Sequence, residues 1–142
     1  MTIGRLIEGR AGTIITCEAD ASVREGVALL AGKRIGAMPV MEKGKIVGVF
    51  SERDVIYQLQ SLGPAMLDRK LRDVMTSPAV TVEPDTTVLA ALSLMTRRRI
   101  RHLPVVQNGE MLGLVSIGDL VKSRIEHIES EAEALRTYIQ TA

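Results

Sequence analysis

The sequence is poor in the residues that usually advertise a function. Aromatic side chains are confined to Phe50, Tyr57 and Tyr138, and there is no tryptophan in 142 residues, so successive bases would find little to stack on and a single-stranded nucleic-acid platform is disfavoured. The lone cysteine, Cys17, permits no internal disulfide and fits a reducing cytosol. It lies in a β-rich run with apolar neighbours and reads as core rather than nucleophile. A formal net charge of +1 supplies no general field for nucleic acid or an acidic membrane. No apolar stretch approaches the roughly 18 residues that cross a bilayer, and no opening segment has the pattern of a secretory leader. His102 and His127 fall on separate elements without a third ligand or catalytic partner, so neither a metal centre nor nucleophilic catalysis is supported. The seven methionines read as adaptable core. These absences predict a soluble, cytoplasmic chain that is not an enzyme.

What is present is a duplication. Thr13 to Ile56 align without a gap on Pro78 to Val121 at a constant offset of about 65, with roughly 13 of about 44 positions identical. The shared residues include Thr16 and Thr81, Asp20 and Asp85, Pro39 and Pro104, Gly44 and Gly109, Gly48 and Gly113, Ser51 and Ser116, and Asp54 and Asp119. Packing alone would keep apolar pattern and turns; keeping a serine and an aspartate as well points to chemistry there, twice. Each copy is marginal as an independent domain, so the two are expected to share a core.

Each copy reads β-α-β-β-α. Gly12 to Cys17 and Ala79 to Val82 are short β-rich runs. Asp20-Ala-Ser22 and Asp85-Thr-Thr87 supply capping side chains ahead of the helical stripes Val23, Val27, Leu30 and Val88, Leu92, Met95. Met38 to Met41 and Leu103 to Val106 are strands whose early proline suggests a first residue or an edge. Lys43-Gly44 and Asn108-Gly109 are hairpin turns. Ser61-Leu-Gly-Pro64 breaks the chain, and Leu67 to Met75 reads as a short helix leading into the second copy. The expected organisation is a first repeat with its N-terminal segment over residues 1–66, a second repeat with its lead-in helix over 67–124, and a helical tail over 125–142. In that tail Val121, Ile125, Ile128, Ala132, Leu135 and Ile139 form a heptad stripe. It either covers the chain's own core or forms a seam between chains, and amphipathicity does not distinguish the two.

The chemical signal is Gly48-Val-Phe-Ser51-Glu-Arg-Asp54 and its echo Gly113-Leu-Val-Ser116-Ile-Gly-Asp119. Each falls where a strand ends and a helix begins, where free backbone N–H groups favour an anion. The same spacing is also a capping box, in which serine and acid satisfy each other and nothing is bound. Arg97 and Arg98 read as a solvated helix end. Arg101 and His102, at the mouth of the next strand, are placed to meet phosphate oxygens, and Arg53 is a further candidate inside the first motif. The first copy has Gly36 and Ala37 in the place of Arg101 and His102, so the two sites are not equivalent.

On these residues the chain resembles a tandem pair of cystathionine-β-synthase (CBS) domains, a Bateman module, over about nine tenths of its length. The resemblance implies a mixed α/β (α+β) fold of two repeats packed through their sheets about a pseudo-twofold axis, a cleft for ligand on each side, and assembly into a homodimer. It also implies an adenosyl ligand: AMP, ADP, ATP or NAD(H), with S-adenosylmethionine ranked behind them. Carried over, Asp54 and Asp119 would take ribose, and Ser51, Arg53, Ser116, Arg101 and His102 would take phosphate. Ile15, Thr16, Met38, Val80, Thr81 and Leu103 would surround adenine. The implied role is that of a regulatory sensor acting on a separate partner protein, without membrane or nucleic-acid binding. The rival is a ligand-free scaffold whose C-terminal helix recruits a partner.

Overall fold

The computed structural model describes residues 1–8 and 14–141. The first repeat comprises β1 (Cys17–Glu18), α2 (Val23–Lys33), β2 (Ala37–Glu42), β3 (Lys45–Ser51) and α3 (Glu52–Leu62), preceded by the short helix α1 (Ile3–Leu6). A 3-10 turn (Gly63–Asp68) and α4 (Leu71–Val74) lead on to α5 (Val88–Arg98), β4 (His102–Gln107), β5 (Glu110–Ser116) and the 25-residue α6 (Ile117–Thr141). The result is the expected mixed α+β architecture, with two small sheets and a long C-terminal helix.

The duplication survives in backbone detail. β2 and β3 pair antiparallel with Met38 opposite Phe50, and β4 and β5 pair with Leu103 opposite Val115. Both hairpins slip register at the equivalent place, between Val40 and Met41 and between Val105 and Val106. Both turn on two residues of positive φ, Lys43-Gly44 at 53° and 77° and Asn108-Gly109 at 53° and 81°, the two-residue turn whose twist matches paired strands.

Several expectations need correction. In the first copy the opening strand is only Cys17–Glu18, parallel to β2, and Gly12 and Thr13 lie outside the described residues. In the second copy it shrinks to one parallel bridge, Val82 to Val105, so that sheet has two strands. The capping side chains expected from Asp20-Ala-Ser22 and Asp85-Thr-Thr87 are those of Ser22 and Thr87, which accept the amides of Glu25 and Ala90. Asp20 instead accepts Arg72 at 2.7 Å. Pro39 is neither first nor at an edge; it is the third residue of the central strand of the order β1-β2-β3. It is tolerated because its opposite number, Val49, turns both backbone groups away to Thr76, at 3.0 and 2.9 Å, and asks no ladder bond of it.

The largest difference concerns the two connecting segments. Met66, Leu71 and Val74 pack with Val23, Met38 and Phe50, so the expected lead-in to the second repeat completes the first core. Ile3 and Ile7 pack with Val88, Leu103 and Val115, so the N-terminal segment completes the second core. Hydrogen bonds fix the latter: Ile3 donates to the Thr86 carbonyl and Gly4 to the Pro84 carbonyl, both at 2.8 Å. Burial supplies the drive, since each fully enclosed side chain such as Ile3 or Leu71 contributes about 1.5–3 kcal/mol. Gly48 records how closely the linker approaches the first sheet: a β-carbon there would stand 2.6 Å from Met75 Sδ and 2.8 Å from the Thr76 carbonyl oxygen.

Candidate functional site

Both Ser-x-x-Asp segments form capping boxes. Ser51 caps α3: its Oγ accepts the Asp54 amide at 3.4 Å while Asp54 Oδ2 accepts the Ser51 amide at 2.9 Å. Ser116 and Asp119 repeat this at the start of α6, at 3.1 and 2.9 Å. In the first copy the aspartate has a second commitment. Its Oδ1 accepts the Thr76 hydroxyl at 2.9 Å, which ties the first motif to the linker. Asp54 is only 9% exposed, but each carboxylate oxygen has acceptor capacity beyond one donor. Capping therefore does not use up the group.

Above Asp54 lies a cavity of about 370 Å³, walled by both repeats. Its first side is the end of β3 and the start of α3, with Ser51, Arg53 and Asp54. Its second is the linker, with Thr76, Pro78, Ala79 and Val80, and its third is the segment Arg99, Ile100, Arg101 and His102. The cavity thus has an apolar slot, from Val49, Pro78, Val80 and Ile100, next to a rim of three arginines and a histidine. Glu52 and Asp54 are the acids on it. Its size falls within the about 300–1,000 Å³ typical of small-molecule sites.

The two repeats are bonded across this space. Arg53 Nη1 donates to the Arg99 carbonyl at 2.7 Å, satisfying an acceptor at the left-handed C-cap of α5. That leaves other N–H donors of its guanidinium for a ligand. His102 is half-buried, and burial first, then the charge of Arg101, pull its pKa below the ordinary 6.5, with Glu52 and Asp119 opposing. Its ring lies beside Gly36, where a β-carbon would come within 3.4 Å of Cε1.

Of the residues named from sequence, Ser51, Arg53, Asp54, Val80, Arg101 and His102 come together on this cavity. Met38 and Leu103 do not: both are fully buried in the two cores, pointing inward from their strands, and offer no face to a ligand. Thr81 is exposed away from the cavity, and Ile15 and Thr16 are half-buried elsewhere. Ser116 and Asp119 stand at the other end of the pseudo-symmetry. By the repeat offset, the segment 76–80 that lines the first cavity corresponds to 11–15, most of which lies outside the described residues. Sequence reasoning missed Thr76, Tyr57, Arg99 and Ile100. Tyr57 follows Asp54 by one helical turn and was discoverable by that spacing; the linker contact was not. Among the described residues no cluster could hold a metal ion and no helix is long and apolar enough to cross a membrane.

Residues 12–61 and 71–126 match the CBS domain family. The chain is 35% identical over 134 residues to the Arabidopsis thaliana "CBS domain-containing protein CBSX3, mitochondrial", covering 91% of this chain and 65% of that protein. The chain thus spans about two thirds of that relative's length. Among solved structures, a CBS-domain containing protein from Agrobacterium tumefaciens superposes with a TM-score of 0.82 at 32% identity, over 87% of this chain and 99% of that one. CBSX2 in complex with AMP superposes with a TM-score of 0.72 at 25% identity, over 88% and 96%.

Proposed function

The chain belongs to the CBS domain family, and from that premise we propose that it is a regulatory module that binds an adenine nucleotide in the cavity between its repeats. The carrying observation is the convergence, on one 370 Å³ cavity, of Asp54 with the basic residues Arg53, Arg101 and His102 and an apolar slot. The adenine ring enters the slot between Val80 and Ile100. Asp54 accepts the ribose hydroxyls, and Ser51, Arg53, Arg101 and His102 meet phosphate. AMP binding by the CBSX2 structure supports this choice. Because the ligand touches both repeats and the linker, occupancy changes how the repeats dock, and a separate partner protein reads the difference. The role is regulatory and not catalytic. Isothermal titration against AMP, ATP, NADH and S-adenosylmethionine at fixed salt tests this: saturable heat, with phosphate-bearing ligands ahead of the sulfonium, is expected. No heat from any of them, in protein free of co-purified nucleotide, overturns it.

The exposed stripe on α6 favours a further role in assembly. Ile125, Ile128, Leu135 and Ile139 are 48–64% exposed, so the heptad face does not cover the chain's own core. A second copy is the occupant proposed: side by side in parallel, Arg124 of one chain meets Glu129 of the other, and Glu131 meets Arg136. The paired Ile125→Asp and Leu135→Asp substitutions then convert a dimer to a monomer in light scattering. A wild-type monomer at all concentrations removes this role.

A further inference from the structure

A side chain of one repeat reaches the other across the nucleotide cavity. Arg53, from the first repeat, has Nη1 at 2.7 Å from the carbonyl oxygen of Arg99 in the second, and both residues line the cavity. Given the nucleotide reading above, we infer that Arg53 is the positioning residue that couples occupancy of the site to the docking of the repeats. Its guanidinium holds the segment from Arg99 to His102 through that carbonyl, and its remaining N–H groups hold phosphate.

Both ends of this bond are anchored. Arg53 sits inside the Ser51–Asp54 capping box, one residue before the ribose acceptor, and the neighbouring Glu52 amide is bonded to the Gly36 carbonyl at 3.0 Å. Arg99 ends α5 in the left-handed conformation, at φ 54°, where its own amide and that of Ile100 turn back to the Met95 carbonyl, the latter at 3.1 Å. Its carbonyl lies past the last helical turn, so a donor has to come from outside the helix. The residues that follow, Ile100, Arg101 and His102, are those the second repeat brings to the cavity. Holding Arg99 therefore sets where they stand.

Charge gives the coupling its sign. Arg53 faces the cavity from the first repeat and Arg99 and Arg101 from the second, and none of the three is in an ion pair among the described residues. Like charge across the cavity opposes docking, and a phosphate placed between these groups turns repulsion into charge-assisted hydrogen bonds. Occupancy thus tightens the contact between the repeats. The device is built once. Arg34 ends α2 with the same φ of 54°, but at the repeat offset the place of Arg53 is taken by Gly118, which has no side chain to donate.

Amide hydrogen exchange of the full chain tests the coupling, read at Ile100 and at its repeat equivalent Ile35, whose amide is bonded to the Leu30 carbonyl at the same 3.1 Å. Comparing the two amides in one sample separates local opening from any change in global stability. Without ligand, Arg53→Gln should speed exchange at Ile100 by about three-fold or more and leave Ile35 unchanged. In the parent, saturating AMP should slow Ile100 more than Ile35, and adenosine, which lacks the phosphate, should slow Ile100 less than AMP does. Arg53→Lys, which keeps the charge without the planar fork, should bind AMP more tightly than Arg53→Gln yet recover less of the slowing than the parent shows. Equal exchange at Ile100 in the parent and in folded Arg53→Gln, or equal slowing by saturating AMP and adenosine, overturns the coupling while leaving the nucleotide site standing. Absence of AMP binding to the parent in calorimetry removes both.

Discussion

Replacing Asp54 by alanine separates its structural from its ligand-binding work. The carboxylate accepts the Ser51 amide and the Thr76 hydroxyl, each at 2.9 Å, and the Ser51 hydroxyl at 3.2 Å. Loss of the cap costs about 0.5–2 kcal/mol and loss of a bond to a charged acceptor about 1.5–3 kcal/mol. The two share one group and do not add fully, so a stability loss of about 2–4 kcal/mol is expected in urea unfolding without ligand. The loss to AMP is separate. Each charge-assisted bond from a ribose hydroxyl is also about 1.5–3 kcal/mol, equivalent to about 10- to 150-fold in Kd. Thr76→Val supplies the contrast, removing the linker's hold while leaving the carboxylate: it should lose stability yet retain AMP binding more nearly than Asp54→Ala. Titration calorimetry on variants whose spectra show them folded reads the difference. If folded Asp54→Ala binds AMP within about two-fold of the parent, the ribose assignment is wrong.

Gly48→Ala drives a β-carbon into backbone, 2.8 Å from the Thr76 carbonyl, and should cost about 1–3 kcal/mol, measurable as a lower urea midpoint. Gly113→Ala meets only the Ile7 side chain, Cδ1 at 3.1 Å and Cγ2 at 3.3 Å, and no backbone, so it should cost less; equal losses would contradict the close-approach argument. His102 has a folded pKa below 6.5, so between the two values the unfolded chain holds more protons. Its contribution to stability is therefore full above 6.5 and lost as pH falls through the folded value. Phosphate beside it raises that pKa, so AMP binding should take up a proton, seen as buffer-dependent heat that His102→Gln abolishes. Burial first, then Glu18, push the Cys17 thiol up to about 11, so a thiol reagent near pH 8 should label it only on unfolding. Rapid labelling of the native chain would place Cys17 outside the core.

What was legible in the sequence was local. The hairpins followed from Lys43-Gly44 and Asn108-Gly109, and the duplicated motifs marked both capping boxes because serine and aspartate must be three residues apart to satisfy each other. Arg101 and His102 were found because guanidinium and imidazole at a strand mouth are chemically conspicuous. Contacts set by tertiary packing were not legible. Nothing in the pattern of Ile3 and Ile7, or of Met66, Leu71 and Val74, says which of two similar cores they enter. Met38 and Leu103 were misplaced for the same reason, since an apolar residue beside a motif packs into a core as readily as it lines a cleft. Thr76 escaped because its partner, Asp54, lies 22 positions away in sequence.

The way the two end segments are distributed sets an order of assembly. Among the described residues, every buried residue of the first core lies between Cys17 and Val74, so that core can close as soon as α4 has left the ribosome. Ile3 and Ile7, made before that core, find their partners only when residues 82–120 exist. The bridge from Thr2 to Thr87 then closes a long loop, a contact whose entropy cost is met late. Ile3 and Ile7 thus dock last, latching the second repeat after the first is already folded.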